Sequence, residues 1–159
     1  MDNKLKQEDK SVIEVGPQTN YRYGFFEYNK IKYEIGISLY QNAILILITY
    51  NGKIGNMYTL DIEEEDNIDA FIEEDEAPEI KTADCILGDR RNEKINFISN
   101  LILSDLSKKI SKKNSKIQKI IFSLTLSEFV IANKEFSITP EVRGLIVTLK
   151  EEINKILNI

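Results

Sequence analysis

Residues Ala43 to Ile48 read AILILI, extended by Thr49 and Tyr50 and closed by Asn51-Gly52. Successive side chains of a strand point to opposite faces, so a strand that is apolar at every position has to be covered on both sides. The run is far shorter than the roughly 20 apolar residues a membrane helix needs. It therefore predicts a central strand of a sheet. Asn-Gly is the strongest short hairpin signal, because both inner positions of a type I′ turn need positive φ. The sequence IGNMYTLDI is expected to return beside the run, placing both strands in the middle of an antiparallel meander.

Upstream, YRYGFFEY is rich in aromatic β formers and Asn29-Lys30 makes a turn into IKYEIGISLY. There Ile31, Tyr33, Ile35, Ile37 and Leu39 alternate with more polar positions, the pattern of a strand with one buried face. Residues 1–20 are polar around Gly16-Pro17 and read as a loose N-terminal arm, leaving residues 21–159 as a single domain. Between Asp61 and Glu79 there are many acids and not one Lys or Arg, so that stretch reads as a solvated acidic loop. IKTADCIL follows as a strand ending at Gly88-Asp89. With Asp89 as N-cap, Ile95, Ile98, Leu101, Ile102, Leu106 and Ile110 then form one apolar stripe along a helix of about 20 residues. A lysine-rich link leads to IQKIIFSLTL, with Ile120, Phe122, Leu124 and Leu126 on one face. Thr139-Pro140-Glu141 supplies an N-cap, a proline suited to the first turn and an acid there. Val142, Leu145, Ile146, Leu149, Ile153, Ile156 and Leu157 continue that second amphipathic helix. The class implied is α+β: an antiparallel meander of about six strands carrying two helices.

Composition narrows the function. The chain has no histidine, which removes Ser-His-Asp and Cys-His catalysis. No glycine pattern makes a phosphate loop or dinucleotide fingerprint, and the acidic stretch lacks the glycine of a calcium loop. Cys85 alternates with Ala83 and Leu87 and reads as an inert thiol, one side chain among the packing rather than a nucleophile. No catalytic residue, cofactor or metal site is expected, although the carboxylates of Asp61, Glu63 and Glu64 leave a metal enzyme open as the weakest reading. A formal net charge of -5 argues against nucleic acid or an anionic membrane as the partner. The polar start, with a single cysteine in the chain, fits a reducing compartment, the cytosol or nucleus. Lys108, Lys109, Lys112, Lys113, Lys116 and Lys119 form the one basic cluster, read as a solvated helix end or a dock for an acidic partner.

A chain of this kind is expected to act by binding, and its pattern is similar to a known family. The stretch IGISLYQNAILILITYNGKIGNMYTLDI, then ILGD opening an amphipathic helix, then a strand and a C-terminal helix, resembles the proteasome assembly chaperone 3 family over most of Tyr23 to Leu157. The sharpest elements are Gly52-Lys53-Ile54-Gly55, Leu60-Asp61 and Ile86-Leu87-Gly88. The resemblance implies a non-enzymatic chaperone, dimeric with itself or with a chaperone-4-like partner, that binds α-type subunits and helps the α-ring of the 20S core particle assemble. Candidate partner-binding residues are the polar groups beside those motifs: Asn51 and Lys53 at the hairpin tip, and Asp89, Arg90 and Arg91 before the first helix. Gly52, Gly55 and Gly88 are assigned to backbone geometry. The rival from another class is a longin-like or profilin-like adaptor for a GTPase or a peptide.

Overall fold

The computed structural model describes residues 13–14, 20–62, 82–131 and 137–159. Most of the acidic stretch and most of the N-terminal arm lie outside the described residues. Within them the chain forms β1 (Ile13–Glu14), β2 (Tyr21–Tyr28), β3 (Ile31–Leu39), β4 (Ala43–Tyr50), β5 (Asn56–Asp61), β6 (Asp84–Leu87), α1 (Glu93–Lys113), β7 (Lys119–Leu124), α2 (Glu128–Ile131) and α3 (Pro140–Leu157). The strands make one sheet in the order β1-β2-β3-β4-β7-β5-β6. All neighbours are antiparallel except β4 and β7, which run parallel with Ile46 beside Phe122. The α+β class and mostly antiparallel sheet expected from the sequence are what is found.

The hairpin expected at Asn51-Gly52 is present only as a tip. Asn51 (φ 54) and Gly52 (φ 66) take the left-handed conformations the turn requires. Tyr50 and Lys53 form an isolated bridge, after which β4 and β5 part company. β7 fills the gap, pairing with β4 on one side and with β5 on the other. The simple meander therefore ends at β4. A strand inserted from later in the chain cannot be read from local periodicity, because β7 obeys the same alternation wherever it pairs.

Both long helices lie on one face. Phe26, Tyr33, Ile35, Ile37, Ile46, Phe122 and Tyr58 from the strands are buried with Ile98, Ile102 and Leu106 of α1 and Leu145, Leu149 and Ile153 of α3. Each such side chain contributes about 1.5–3 kcal/mol through apolar burial. The stripe of α3 is as the sequence predicts, and the Thr139 Oγ1 accepts from the Val142 N–H at 3.3 Å to cap it. The start of α1 differs. Its N-cap is Asn92, whose Oδ1 accepts from the Ile95 N–H at 3.2 Å, while Asp89 instead accepts from the Arg91 N–H at 2.9 Å in the preceding turn. Leu101 is exposed and Leu103 takes its place in the buried stripe. A helix advances 100° per residue, so the buried face that includes Ile95, Ser99 and Ile110 as well as Ile98, Ile102 and Leu106 is centred nearer position 103 than position 101.

The register also defines an opposite face that carries no helix among the described residues. Tyr23, Phe25, Leu45, Leu47, Ile121 and Met57 occupy it, all half-buried within this chain. The Lys32 ammonium sits over the Phe25 ring, 4.7 Å from its centroid. The two faces make a direct contrast in stability. Ile46, fully buried under the helices, should lose about 2–5 kcal/mol as Ile46→Ala in urea unfolding of the monomeric protein. Leu45→Ala, on the open face, should cost less than half as much under the same conditions.

Candidate functional site

The sequence-derived candidates fall at one end of the sheet. Asn51 and Lys53 are exposed on the tip that follows β4, and Asp89, Arg90 and Arg91 are exposed in the lead into α1 that follows β6. Met57, near the start of β5, pairs with Leu87 at the end of β6, which brings the two loops to the same rim. The tip is tied down by Thr125, whose hydroxyl donates to the Lys53 carbonyl at 2.8 Å.

Asn56 lies between the two loops and joins the second to the sheet. Its Nδ2 donates to the Asp89 carbonyl at 2.9 Å and to the Tyr58 hydroxyl at 3.1 Å, and its Oδ1 accepts from the Asp89 N–H at 3.0 Å. Tyr58 in turn donates to Asn96 Oδ1 at 2.6 Å, fastening α1 to β5. Burial pushes the Tyr58 hydroxyl above its ordinary pKa, so it holds its proton as a donor. Gly88 (φ 108) packs against Asn56 so closely that a Cβ there would meet the Asn56 side chain. The backbone-geometry assignment of Gly88 and Gly52 rests on these conformations.

Asn56 was not among the candidates, yet it left a signal. Tyr58 and Leu60 face inward, so alternation puts residue 56 inward too, and an amide at a buried position needs partners. Nothing local marked the exposed Ile54, Ile86 and Leu87, which place apolar surface beside the polar rim. The basic cluster lies elsewhere. Lys119 starts β7, at the far end of the sheet from the tip, and pairs with Asp61 at 3.2 Å, while Lys109 pairs with Asp105 at 3.0 Å.

The rim presents backbone and side-chain hydrogen-bonding groups, two guanidinium groups, an ammonium and a few apolar side chains. These are the materials of a protein-binding surface. Among the described residues no group of three or more His, Cys, Asp or Glu is placed to hold a metal ion, and no helix is long and apolar enough to cross a membrane. Cys85 is half-buried and packed against the core, with its Sγ 3.5 Å from the Leu87 carbonyl.

No protein-family model matches the sequence, and no curated protein does. Among solved structures, one chain from the crystal structure of a novel chaperone complex for yeast 20S proteasome assembly is similar to this one. The TM-score is 0.55 and the identity 17%, covering 86% of this chain and 97% of that chain. The likeness is one of fold and spans nearly the whole of the yeast chain.

Removing the Asn56 side chain tests how the rim is built. Asn56→Ala should cost about 1–3 kcal/mol, because it leaves buried partners unpaired. It should also speed amide hydrogen exchange at Asp89 while leaving exchange in β3 unchanged relative to global stability. Uniform acceleration throughout the chain would contradict a local role for Asn56.

Proposed function

We propose that this chain is a non-enzymatic chaperone of 20S proteasome assembly, acting in the cytosol or nucleus as a dimer that binds α-type subunits and promotes formation of the α-ring. The observation that carries the reading is the fold likeness to a chain of the yeast assembly-chaperone complex, which takes in nearly all of that chain. The helix-free sheet face supports the dimeric part. Tyr23 and Phe25 of β2 share this face with Leu45, Leu47, Ile121 and Met57, the two groups separated by Glu34, Gly36 and Ser38 of β3, and half-buried apolar side chains gathered on a sheet face are of the kind that mark an interaction site. A second copy, or a chaperone-4-like partner, would cover it through the same kind of face. The rim of Asn51, Lys53, Asp89, Arg90 and Arg91 is left free for the α subunit.

Leu47 lies near the centre of that face, beside Gly36 on β3 and Ser123 on β7. Leu47→Asp should leave the circular dichroism spectrum unchanged and weaken self-association or partner association by at least tenfold, about 1.4 kcal/mol, in sedimentation. A wild type that remains monomeric at about 50 µM, both alone and with a chaperone-4-like partner, would contradict the dimer.

Rim charges govern encounter rate and salt sensitivity more than depth of binding. Lys53→Glu combined with Arg90→Glu should therefore weaken binding to a recombinant α subunit about tenfold at low salt, with a smaller loss at moderate salt, in a folded protein. Unchanged affinity at both salt concentrations would remove the rim as the binding site and turn attention to Lys108 to Lys119. Pull-down from the parent lysate separates the chaperone from an adaptor: α subunits are the expected co-purifying proteins, and a GTPase in their place would overturn the reading.

A further inference from the structure

No Asp or Glu stands between Asp105 and Glu128, and six lysines fall between Lys108 and Lys119. The structure gathers them at the end of the sheet away from the tip, where α1 stops and β7 begins. Lys109 pairs with Asp105 and Lys119 with Asp61. Lys108, Lys112, Lys113 and Lys116 are exposed and form no ion pair among the described residues. Other carboxylates toward this end are Asp84, which has β5 between it and β7, and Glu151 and Glu152 of α3, the latter paired with Lys155.

A helix end explains part of this charge. The dipole at the C-terminus of α1 amounts to about half a negative charge, which favours Lys112 and Lys113 in the last turn. It does not offset four unpaired ammonium groups, and Lys116 lies past the helix. Lys108 and Lys112 stand four residues apart, as do Lys109 and Lys113, and like charges at that spacing oppose the helix. The backbone that carries the link is fixed. The Lys116 N–H donates to Asn114 Oδ1 at 3.1 Å, Ile117 is buried, and the Gln118 N–H donates to the Asn42 carbonyl at 2.8 Å. An arriving anion therefore has only side chains to order.

The charge complement is a run of carboxylates. Duplex nucleic acid carries a charge every ~1.7 Å along a rod, so its length beyond the lysines would face a chain with 26 Asp and Glu. A short acidic segment meets the lysines alone, because surface charges more than about 8 Å apart are largely screened at physiological salt. We propose that the surface from Lys108 to Lys119 docks an acidic segment of a partner protein, its carboxylates meeting Lys108, Lys112, Lys113 and Lys116. This surface is separate from the rim and does not depend on the chaperone reading. The chain has an acidic run of its own, residues 63–79, which follows Ile62, whose N–H donates to the Gln118 carbonyl at 2.7 Å.

The test is fluorescence anisotropy of labelled octaglutamate titrated with the full chain. The peptide should bind saturably with a Kd below about 1 mM at low salt. Affinity should fall at least tenfold at about 300 mM salt. Lys112→Gln, Lys113→Gln and Lys116→Gln together, folded by circular dichroism, should weaken binding at least tenfold, while Arg90→Gln with Arg91→Gln should bind as the wild type does. A short DNA duplex should bind at least threefold more weakly than the peptide. A chain lacking residues 64–77 should bind the peptide as the full chain does. The proposal is overturned by unchanged affinity in the folded triple variant, by loss of binding in the Arg90 and Arg91 variant, or by DNA binding as tight as the peptide's. It is equally overturned by salt-independent binding, by no saturable binding, or by binding to the shortened chain alone, which would assign the lysines to the chain's own acidic run.

Discussion

The rest of the structure depends on β7 lying between β4 and β5. Ile46 beside Phe122 on one side, and Tyr58 beside Phe122 on the other, make one continuous wall of fully buried side chains. Without β7 the two strands that leave the Asn51-Gly52 tip would each have a bare edge in the middle of the sheet, with backbone groups unpaired. The insertion also dictates the helices. To arrive parallel to β4, the chain must cross from β6 over the sheet, and α1 is that crossing. The face it covers is then shared with α3, leaving the opposite face of the sheet without a helical layer among the described residues.

Local pattern and long-range pairing were not equally legible in the sequence. The alternation from Ile31 to Leu39, the apolar run of β4, the Thr139-Pro140-Glu141 start of α3 and its whole buried stripe follow from side-chain period and capping chemistry, and all are found. The neighbours of β5 were not legible, because an Asn-Gly turn specifies the reversal of the chain and not how long the two strands stay paired. The cap of α1 was misplaced for a related reason. Asp89 and Asn92 are both good capping residues, and the choice went to Asn92 because Gly88 and Asp89 are held back against Asn56 at the edge of β5.

The candidate rim divides in the same way. Asn51, Lys53, Asp89, Arg90 and Arg91 could be picked out as polar residues beside turns, and the structure brings them to one end of the sheet. What joins them is Asn56, a buried amide whose importance comes from hydrogen bonds across 33 positions of sequence. The open face was legible only in part. The apolar run of β4 required cover on both sides, yet its outward residues Leu45 and Leu47 are only half-buried within this chain. That incomplete cover is what a partner sheet would complete, and it connects the unusual sequence of β4 to the association proposed above.

The most direct measurement of that function is the assembly of α-rings from recombinant α-type subunits, followed on native gels with and without this chain. The account predicts faster ring formation in its presence, the chain comigrating with early intermediates, and its absence from the finished 20S particle. Ring formation at an unchanged rate, with the chain found in no intermediate, would contradict it.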